Sequence, residues 1–181
     1  MESFEIRFSG TGGQGLQLSA KIFSEALNID GKRVAMSQAY EPTSRGGISR
    51  SDLVVAAGDI DYPLATQLDY LIVLDQSAAE ISIPLMRPGG TIITDARKVT
   101  QPPKGDFDVH ALELSSAAMD IGNERVTNIV TLGALNALGN LCTPEALETA
   151  ILSSVPPKFL ELNKEALARG IALAAIETEA A

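Results

Sequence analysis

The sequence of 181 residues is poor in the residue types that build self-contained metal and redox sites. Its one cysteine excludes an internal disulfide, a cysteine-based zinc site and an iron–sulfur cluster held by this chain alone. Its one histidine argues against a histidine-rich metal centre and against a Ser-His-Asp triad. Because there is no tryptophan and only 4% of residues are aromatic, valine, isoleucine, leucine and alanine must form most of the core.

Positive charge and long apolar runs are also scarce. Lysine and arginine number 14 against 23 acidic residues, and the net charge of -9 argues against DNA or RNA as a partner. No apolar run approaches the roughly 18–20 residues that span a bilayer, and the first residues lack the pattern of a signal peptide. We therefore expect a cytoplasmic protein that forms one domain over residues 1–181 and has no membrane partner.

The hydrophobic pattern alternates between strands and helices. Strands are predicted at 4–8, 33–37, 53–57, 70–74, 91–94 and 109–114, and helices at 16–27, 78–86, 125–141, 144–152 and 158–176. Alternating elements of this kind favour a parallel sheet. The predicted fold is α/β, a three-layer, mostly parallel, doubly wound sheet with helices on both faces and a helical C-terminal part.

A glycine-rich turn, Gly10-x-Gly12-x-x-Gly15, lies between the first strand and the first helix. In that setting backbone amides at a helix N-terminus can bind an anion such as phosphate, and a full dinucleotide site is a second interpretation. A dinucleotide site needs an acid near the end of the second strand, whereas the first acid here is Glu41. In the third interpretation the glycines only allow a tight turn and close packing.

The segment from Tyr40 to Asp52 joins two predicted strands and contains Arg45, Gly46, Gly47 and Arg50. Such a segment leaves the sheet at the edge where ligands and partners gather. Arg45 is suited to a carboxylate or phosphate, and the alternative is a solvated loop with a local Arg–Glu pair.

Four other features allow a functional and a structural interpretation. Asp95 ends a strand, where a carboxylate contacts a ligand or, more often, caps the next turn. His110 is expected at the surface or on an edge strand, and Cys142 is expected to be buried and inert. The apolar helix over 125–141 is either core or, as its small residues favour, partly an interface with another subunit.

Six short motifs follow one another along the chain. They are Gly10-Thr11-Gly12-Gly13-Gln14-Gly15, Arg45-Gly46-Gly47, Ile60-Asp61-Tyr62-Pro63, residues 69–76 (Asp-Tyr-Leu-Ile-Val-Leu-Asp-Gln), residues 128–134 (Asn-Ile-Val-Thr-Leu-Gly-Ala) and Asn163…Ala166…Gly170. In this order they resemble the gamma subunit or gamma domain of the 2-oxoacid:ferredoxin oxidoreductases.

The resemblance implies an enzyme complex that oxidatively decarboxylates a 2-oxoacid with coenzyme A, giving an acyl-CoA, CO2 and reduced ferredoxin. It implies thiamine diphosphate, magnesium and iron–sulfur clusters on partner subunits, and no catalytic residue or metal ligand on this chain. The 2-oxoacid could be pyruvate, a branched-chain acid, an aryl pyruvate or 2-oxoglutarate, and a small separate gamma chain favours 2-oxoglutarate.

The resemblance also assigns roles to residues and names partners. Gly10, Gly12, Gly13, Gln14 and Gly15 would bind the coenzyme A phosphates. A second set would lie at the subunit interface near the mouth of the active site: Tyr40, Glu41, Arg45, Gly46, Gly47 and Arg50. The partners would be thiamine-binding alpha and beta subunits, with a ferredoxin-like delta subunit as a further candidate and ferredoxin as electron acceptor.

Two alternatives remain open at this point. One is a stand-alone NAD-binding oxidoreductase or regulatory domain with a Rossmann-like fold. The other is a scaffold whose glycines bind nothing.

Overall fold

The computed structural model describes residues 3–40 and 46–180, and six strands form one sheet. The strands are β1 (Ser3–Thr11), β2 (Arg33–Tyr40), β3 (Ile48–Ala56), β4 (Leu68–Val73), β5 (Met86–Asp95) and β6 (Phe107–Leu112). Their order across the sheet is β2-β3-β1-β4-β5-β6. β6 lies at one edge, which confirms the predicted edge position of His110.

Five α-helices accompany the sheet. They are α1 (Leu16–Ile29), α2 (Leu114–Asp120), α3 (Thr127–Gly139), α4 (Pro144–Ser154) and α5 (Leu160–Ala180). Short 3-10 turns lie at Gln76–Ala78, Ile83–Leu85, Glu124–Val126 and Pro157–Phe159. The helical C-terminal part of the prediction is confirmed.

The sheet is mostly parallel, as predicted, with one reversed strand. β1, β4, β5 and β6 pair in parallel, whereas β3 pairs antiparallel with both β1 and β2. β3 follows β2 in the chain, and in the sheet it lies between β2 and β1. The sequence pattern did not predict this reversal, because hydrophobic alternation is the same in either strand direction.

One face of the sheet carries the larger hydrophobic core, to which all five α-helices contribute. Each helix buries apolar side chains in this core, for example Phe23, Leu114, Ile129, Leu147 and Ala166. They pack on alternate residues of the strands, including Ile6, Phe8 and Ile72 of the two central strands. The apolar periodicity of the predicted helices indicates a helix-covered face of this kind.

The opposite face is covered differently from the prediction. Where a helix was predicted over 78–86, the chain forms only the two 3-10 turns before β5 begins. Pro84 explains the difference, because proline has no amide hydrogen to donate and its ring excludes the preceding helical turn. Ala78 and Ala79 still bury against β4 and β5 in a second, smaller core.

Helix ends follow the capping residues. Thr143 accepts a hydrogen bond from the Ala146 amide at 3.3 Å, with Pro144 at the first helical position, as the sequence predicts. α3 is shorter than the helix predicted over 125–141, because Asn140 ends it in the left-handed conformation (φ 47°). α2 was not predicted, because its seven residues include two serines and carry little helical signal.

The small residues of α3 pack within the chain. Residues 127–136 are all buried, and a β-carbon on Gly133 would lie 2.5 Å from the Leu167 carbonyl oxygen of α5. The expectation that the small residues mark a subunit interface is therefore wrong for Gly133, which contacts α5. Within residues 3–40 and 46–180, no helix combines the length and apolar character needed to cross a membrane.

Candidate functional site

The carboxyl ends of β1 and β4 meet where the chain leaves the sheet in opposite directions. β1 leads into α1 on the face that carries the larger core, whereas β4 leads into the turn Gln76–Ala78 on the other face. The two strands stay joined at this end, where the Leu74 amide donates to the Ser9 carbonyl at 2.9 Å. In open α/β sheets, ligands bind in the crevice at such a switch point.

A cavity of about 430 Å³ opens at this crevice, a size within the roughly 300–1,000 Å³ range of small-molecule sites. Its lining comes from three places. These are the glycine-rich turn (Thr11, Gly12, Gly13, Gln14), the segments after β4 and at the end of β5 (Leu74, Asp75, Asp95, Lys98), and the start of α3 (Glu124, Arg125, Thr127). The predicted phosphate-binding turn is therefore one wall of a cavity.

The side chain of Gln14 fixes the conformation of this turn. Its Oε1 accepts a hydrogen bond from the Thr11 amide at 2.7 Å, and its Nε2 donates to the Leu74 carbonyl at 2.7 Å. It lies against Gly10, where a β-carbon would overlap Gln14 Oε1. Gly10 and Gln14 therefore hold the turn against the end of β4.

The turn leaves only some of its amides free. The amides of Gly12 and Gln14 donate to the carbonyls of Gly47 and Thr11 at 3.1 and 3.3 Å. The amides of Gly13 and Gly15 have no hydrogen-bond partner among residues 3–40 and 46–180. Both glycines have positive φ, 96° and 76°, and no side chain of the described residues caps α1. The first-turn amides of α1 are unbonded within the helix and add to its positive end.

Cationic side chains flank the cavity. Lys98 and Arg97 both bind the Glu124 carboxylate, at 2.9 and 2.7 Å. The hydrogen bond and positive charge of Lys98, with a smaller contribution from Arg97, hold the pKa of the Glu124 carboxyl below its ordinary value. Arg125 is exposed and forms no ion pair within the described part of the chain. It is therefore available to an anionic ligand.

Asp95 is the buried acid of the cavity wall. It is fully buried, and its Oδ1 accepts long hydrogen bonds from the amides of Ser115 and Arg97, at 3.3 and 3.4 Å. Its Oδ2 is buried and has no hydrogen-bond partner within the described residues. The sequence allowed either a turn cap or a ligand contact for this residue. In the structure, Oδ1 caps the turn through two long hydrogen bonds.

Part of the predicted interface segment falls outside the described residues. Glu41 and Arg45 belong to the part that is not described, and of Tyr40 only the backbone is described, at the end of β2. Gly47 accepts the hydrogen bond of Gly12, and the neighbouring Gly46 has φ 74°. Arg50 lies in β3, in register with Ser9 and Ala39.

Cys142 is buried, as predicted, and closely held. Asn136 Oδ1 accepts hydrogen bonds from its amide at 2.9 Å and its thiol at 3.3 Å, and Asn136 Nδ2 donates to its carbonyl at 3.0 Å. Burial raises the pKa of the Cys142 thiol to about 12, which makes it a poor nucleophile. Residues 3–40 and 46–180 contain no group of three or more His, Cys, Asp or Glu side chains that could hold a metal ion.

Sequence reasoning missed the cations of this site. Lys98 follows β5, and Arg125 lies in the turn Glu124–Val126 before α3, far along the chain from the glycine-rich turn. The available signal was their position, since Lys98 lies just after a strand and Arg125 lies just before a helix. The order of β1, β4 and β5 in the sheet brings Lys98 to the turn, and the packing of α3 brings Arg125 there.

The sequence matches the pyruvate ferredoxin/flavodoxin oxidoreductase family over residues 5–173. It is 36% identical to the 2-oxoglutarate synthase subunit KorC of Methanocaldococcus jannaschii over 174 residues, which cover 94% of this chain and 93% of that one. It is 30% identical to the pyruvate synthase subunit PorC of Methanothermobacter thermautotrophicus over 170 residues, 90% of this chain and 91% of that one.

Two solved structures are similar to the fold. The keto/oxoacid ferredoxin oxidoreductase gamma subunit of Geobacter sulfurreducens superposes with a TM-score of 0.90 at 41% identity, covering 98% of this chain and 99% of that one. The 2-oxoglutarate:ferredoxin oxidoreductase of Magnetococcus marinus, solved with 2-oxoglutarate, coenzyme A and succinyl-CoA, has a TM-score of 0.86 at 21% identity. The match covers 97% of this chain and 32% of that chain, and at this identity the likeness concerns the fold alone.

Proposed function

Because the chain belongs to the pyruvate ferredoxin/flavodoxin oxidoreductase family, as the gamma subunit of a 2-oxoacid:ferredoxin oxidoreductase, we propose that it contributes the coenzyme A-binding part of that enzyme. The chain is one subunit of a multi-subunit oxidoreductase. Its own role is to bind and orient coenzyme A with backbone amides and cations. The thioester-forming chemistry takes place on partner subunits.

The cavity at the switch point carries this proposal. Coenzyme A has phosphate groups, and phosphates bind at amides that lie free near a helix N-terminus. The free amide of Gly13 and Arg125, which has no ion pair within the described residues, line this cavity and supply a donor and positive charge in one place. The free amide of Gly15 adds to the positive end of α1. Gly10 and Gln14 act indirectly by locking the turn, and the Gly12 amide links it to Gly47.

The partner subunits supply what this chain does not have. We assign thiamine diphosphate, magnesium and the iron–sulfur clusters to thiamine-binding alpha and beta subunits and to a ferredoxin-like delta subunit. For the clusters the single cysteine is the reason, because a [4Fe–4S] cluster takes four thiolates. The chain acts as one gamma domain, and the residues Tyr40, Glu41, Arg45, Gly46, Gly47 and Arg50 contact the alpha and beta subunits.

We propose 2-oxoglutarate as the substrate, which is converted with coenzyme A to succinyl-CoA and CO2 while ferredoxin is reduced. Relatives named 2-oxoglutarate synthase subunits are 33–36% identical to this chain, and a pyruvate synthase subunit is 30% identical. We expect the complex, purified anaerobically through a tag on this chain, to reduce viologen with 2-oxoglutarate and coenzyme A. Pyruvate, 2-oxoisovalerate and indolepyruvate serve as comparison substrates, and a higher kcat/KM with any of them would refute the assignment.

Replacing Gly13 by alanine is expected to raise the KM for coenzyme A about tenfold, since a charge-assisted hydrogen bond is worth roughly that factor. A residue with a β-carbon is strained at φ 96° and shifts the free amide away from the phosphates. The KM for 2-oxoglutarate and kcat should change little, because this chain does not hold the reacting centre. Steady-state kinetics of the whole complex measure all three values.

Gly31 provides the matched control, because its φ is 79° and a β-carbon there also meets nothing within 4 Å. It lies between α1 and β2, away from the cavity. Gly31→Ala should cost similar stability and leave the KM for coenzyme A unchanged. If both variants lower stability and neither changes that KM, the turn is a scaffold. If Gly13→Ala instead weakens NAD binding alone, the chain has a dinucleotide site.

A further inference from the structure

Asp95 is a buried carboxylate that the fold leaves half satisfied. It has no exposed surface, and Oδ2 has no hydrogen-bond partner in the part of the chain that the structure describes. It also forms no ion pair among residues 3–40 and 46–180. Burying an unpaired carboxylate is costly, and such a group in a folded protein calls for an explanation.

Asp95 lies at the end of β5, in the wall of the cavity that also contains Gly13 and Arg125. Its side chain belongs to the same face as Ile93 of the larger core. Capping explains little of its burial, because both contacts of Oδ1, at 3.3 and 3.4 Å, are long for hydrogen bonds. Asp95 lines the cavity, and rotation about the last side-chain torsion is soft for aspartate.

The lining of the cavity has two parts by charge: free amides with the cations Lys98 and Arg125, and the carboxylates Asp75, Asp95 and Glu124. Free amides and Arg125 favour an anion, whereas a carboxylate repels an anion and accepts hydrogen bonds from hydroxyl or amino groups. A ligand that suits both parts carries phosphate beside such a donor. The nucleotide end of coenzyme A has this composition, with phosphates, a ribose hydroxyl and an adenine amino group.

We propose that Asp95 recognises the nucleotide part of coenzyme A, with its free carboxylate oxygen accepting a hydrogen bond from the ribose hydroxyl or the adenine amino group. This inference rests on the proposed function. It adds a residue that distinguishes the nucleotide from other phosphates, and it explains why a buried unpaired charge is present at this position. Asp95 binds ligand and takes no part in the chemistry.

Calorimetric titration of the whole complex, without 2-oxoacid, tests the proposal. The ligands are coenzyme A, adenosine 3′,5′-bisphosphate and 4′-phosphopantetheine, which lacks the nucleoside. Asp95→Asn should weaken binding of the first two about 10- to 100-fold and leave phosphopantetheine binding unchanged. The thermal midpoint of this variant should not fall, because the substitution removes a buried uncompensated charge.

Thr94 is the matched control. It is the preceding residue of β5, is fully buried and also has an unpartnered side-chain oxygen, Oγ1. It faces the other side of the sheet and does not line the cavity. Thr94→Val should therefore leave the affinity of all three ligands unchanged.

Analogues of the bisphosphate on the unmodified complex identify the donor and need no variant. The 2′-deoxy analogue lacks the free ribose hydroxyl, and the N6,N6-dimethyl analogue lacks the amino donor. One of them should bind about tenfold or more weakly. Equal affinity of both analogues and the parent compound would overturn the proposal.

The remaining outcomes separate this inference from the proposed function. An Asp95→Asn variant that binds coenzyme A normally but melts at lower temperature would make Asp95 a turn cap. If Gly13→Ala weakens coenzyme A binding in that case, the proposed function stands and this inference fails. If neither variant changes coenzyme A binding, both fail.

Discussion

Replacing Gly170 by alanine is expected to lower the free energy of unfolding by about 3 kcal/mol or more. A β-carbon at Gly170 would overlap the carbonyl oxygen of Val130 and lie 2.8 and 2.9 Å from the Val130 carbonyl carbon and the Ala134 nitrogen. These are backbone atoms of α3, so no side chain can rotate to make room. The helices must move apart, and contacts of the larger core are lost along α5. Urea denaturation of the purified chain measures the change.

The expected sign is the reverse of the ordinary effect of this substitution. Alanine normally stabilises a helix interior relative to glycine by about 0.5–1 kcal/mol. Ala168→Val, which adds volume on the exposed side of the same helix, should change stability by no more than about 1 kcal/mol. A stabilised Gly170→Ala chain would mean that the α3 and α5 backbones are not in contact.

Replacing Arg7 by methionine is expected to destabilise the chain by about 3–5 kcal/mol, because it leaves a buried carboxylate unpaired. Arg7 Nε and Nη2 each donate to an oxygen of Asp52 at 2.7 Å, and Nη1 donates to Ser82 Oγ at 3.2 Å. The two charged side chains are 2% and 7% exposed and face each other across β1 and β3. Thermal and urea unfolding of the variant measure the loss.

The paired substitution Arg7→Met with Asp52→Leu separates the cost of the unpaired charge from the value of the ion pair. It should be more stable than Arg7→Met alone, since two apolar groups need no partner. Ser82→Ala, which removes only the third hydrogen bond, should cost about 1 kcal/mol. If the losses of Arg7→Met and of Asp52→Leu, each measured alone, add in the double variant, the two side chains are not energetically coupled, contrary to this expectation.

Local sequence signals were sufficient for the elements whose pattern is long or strongly marked. The periodicity of Leu16, Ala20, Phe23 and Leu27 indicated α1, and Thr143 with Pro144 indicated the start of α4. The prediction of a helix over 78–86 was wrong, because it followed the apolar spacing and gave too little weight to Pro84. The direction of β3 could not be read from the sequence, since pairing partners are chosen by contacts between distant segments.

The sequence by itself determined the α/β class, the family and the position of the glycine-rich turn between β1 and α1, because each depends on residues close together in the chain. Only the tertiary structure decided what surrounds that turn. Lys98, Arg125 and Asp95 become its neighbours because the ends of β1, β4 and β5 meet at one edge of the sheet and α3 packs there. It also decided which amides of the turn remain free. The Gly47 carbonyl accepts from the Gly12 amide, and the Gln14 side chain bonds the Thr11 amide and the Leu74 carbonyl. Hydrogen bonds and charges act through distance in space, and the chain order of this protein does not specify that distance.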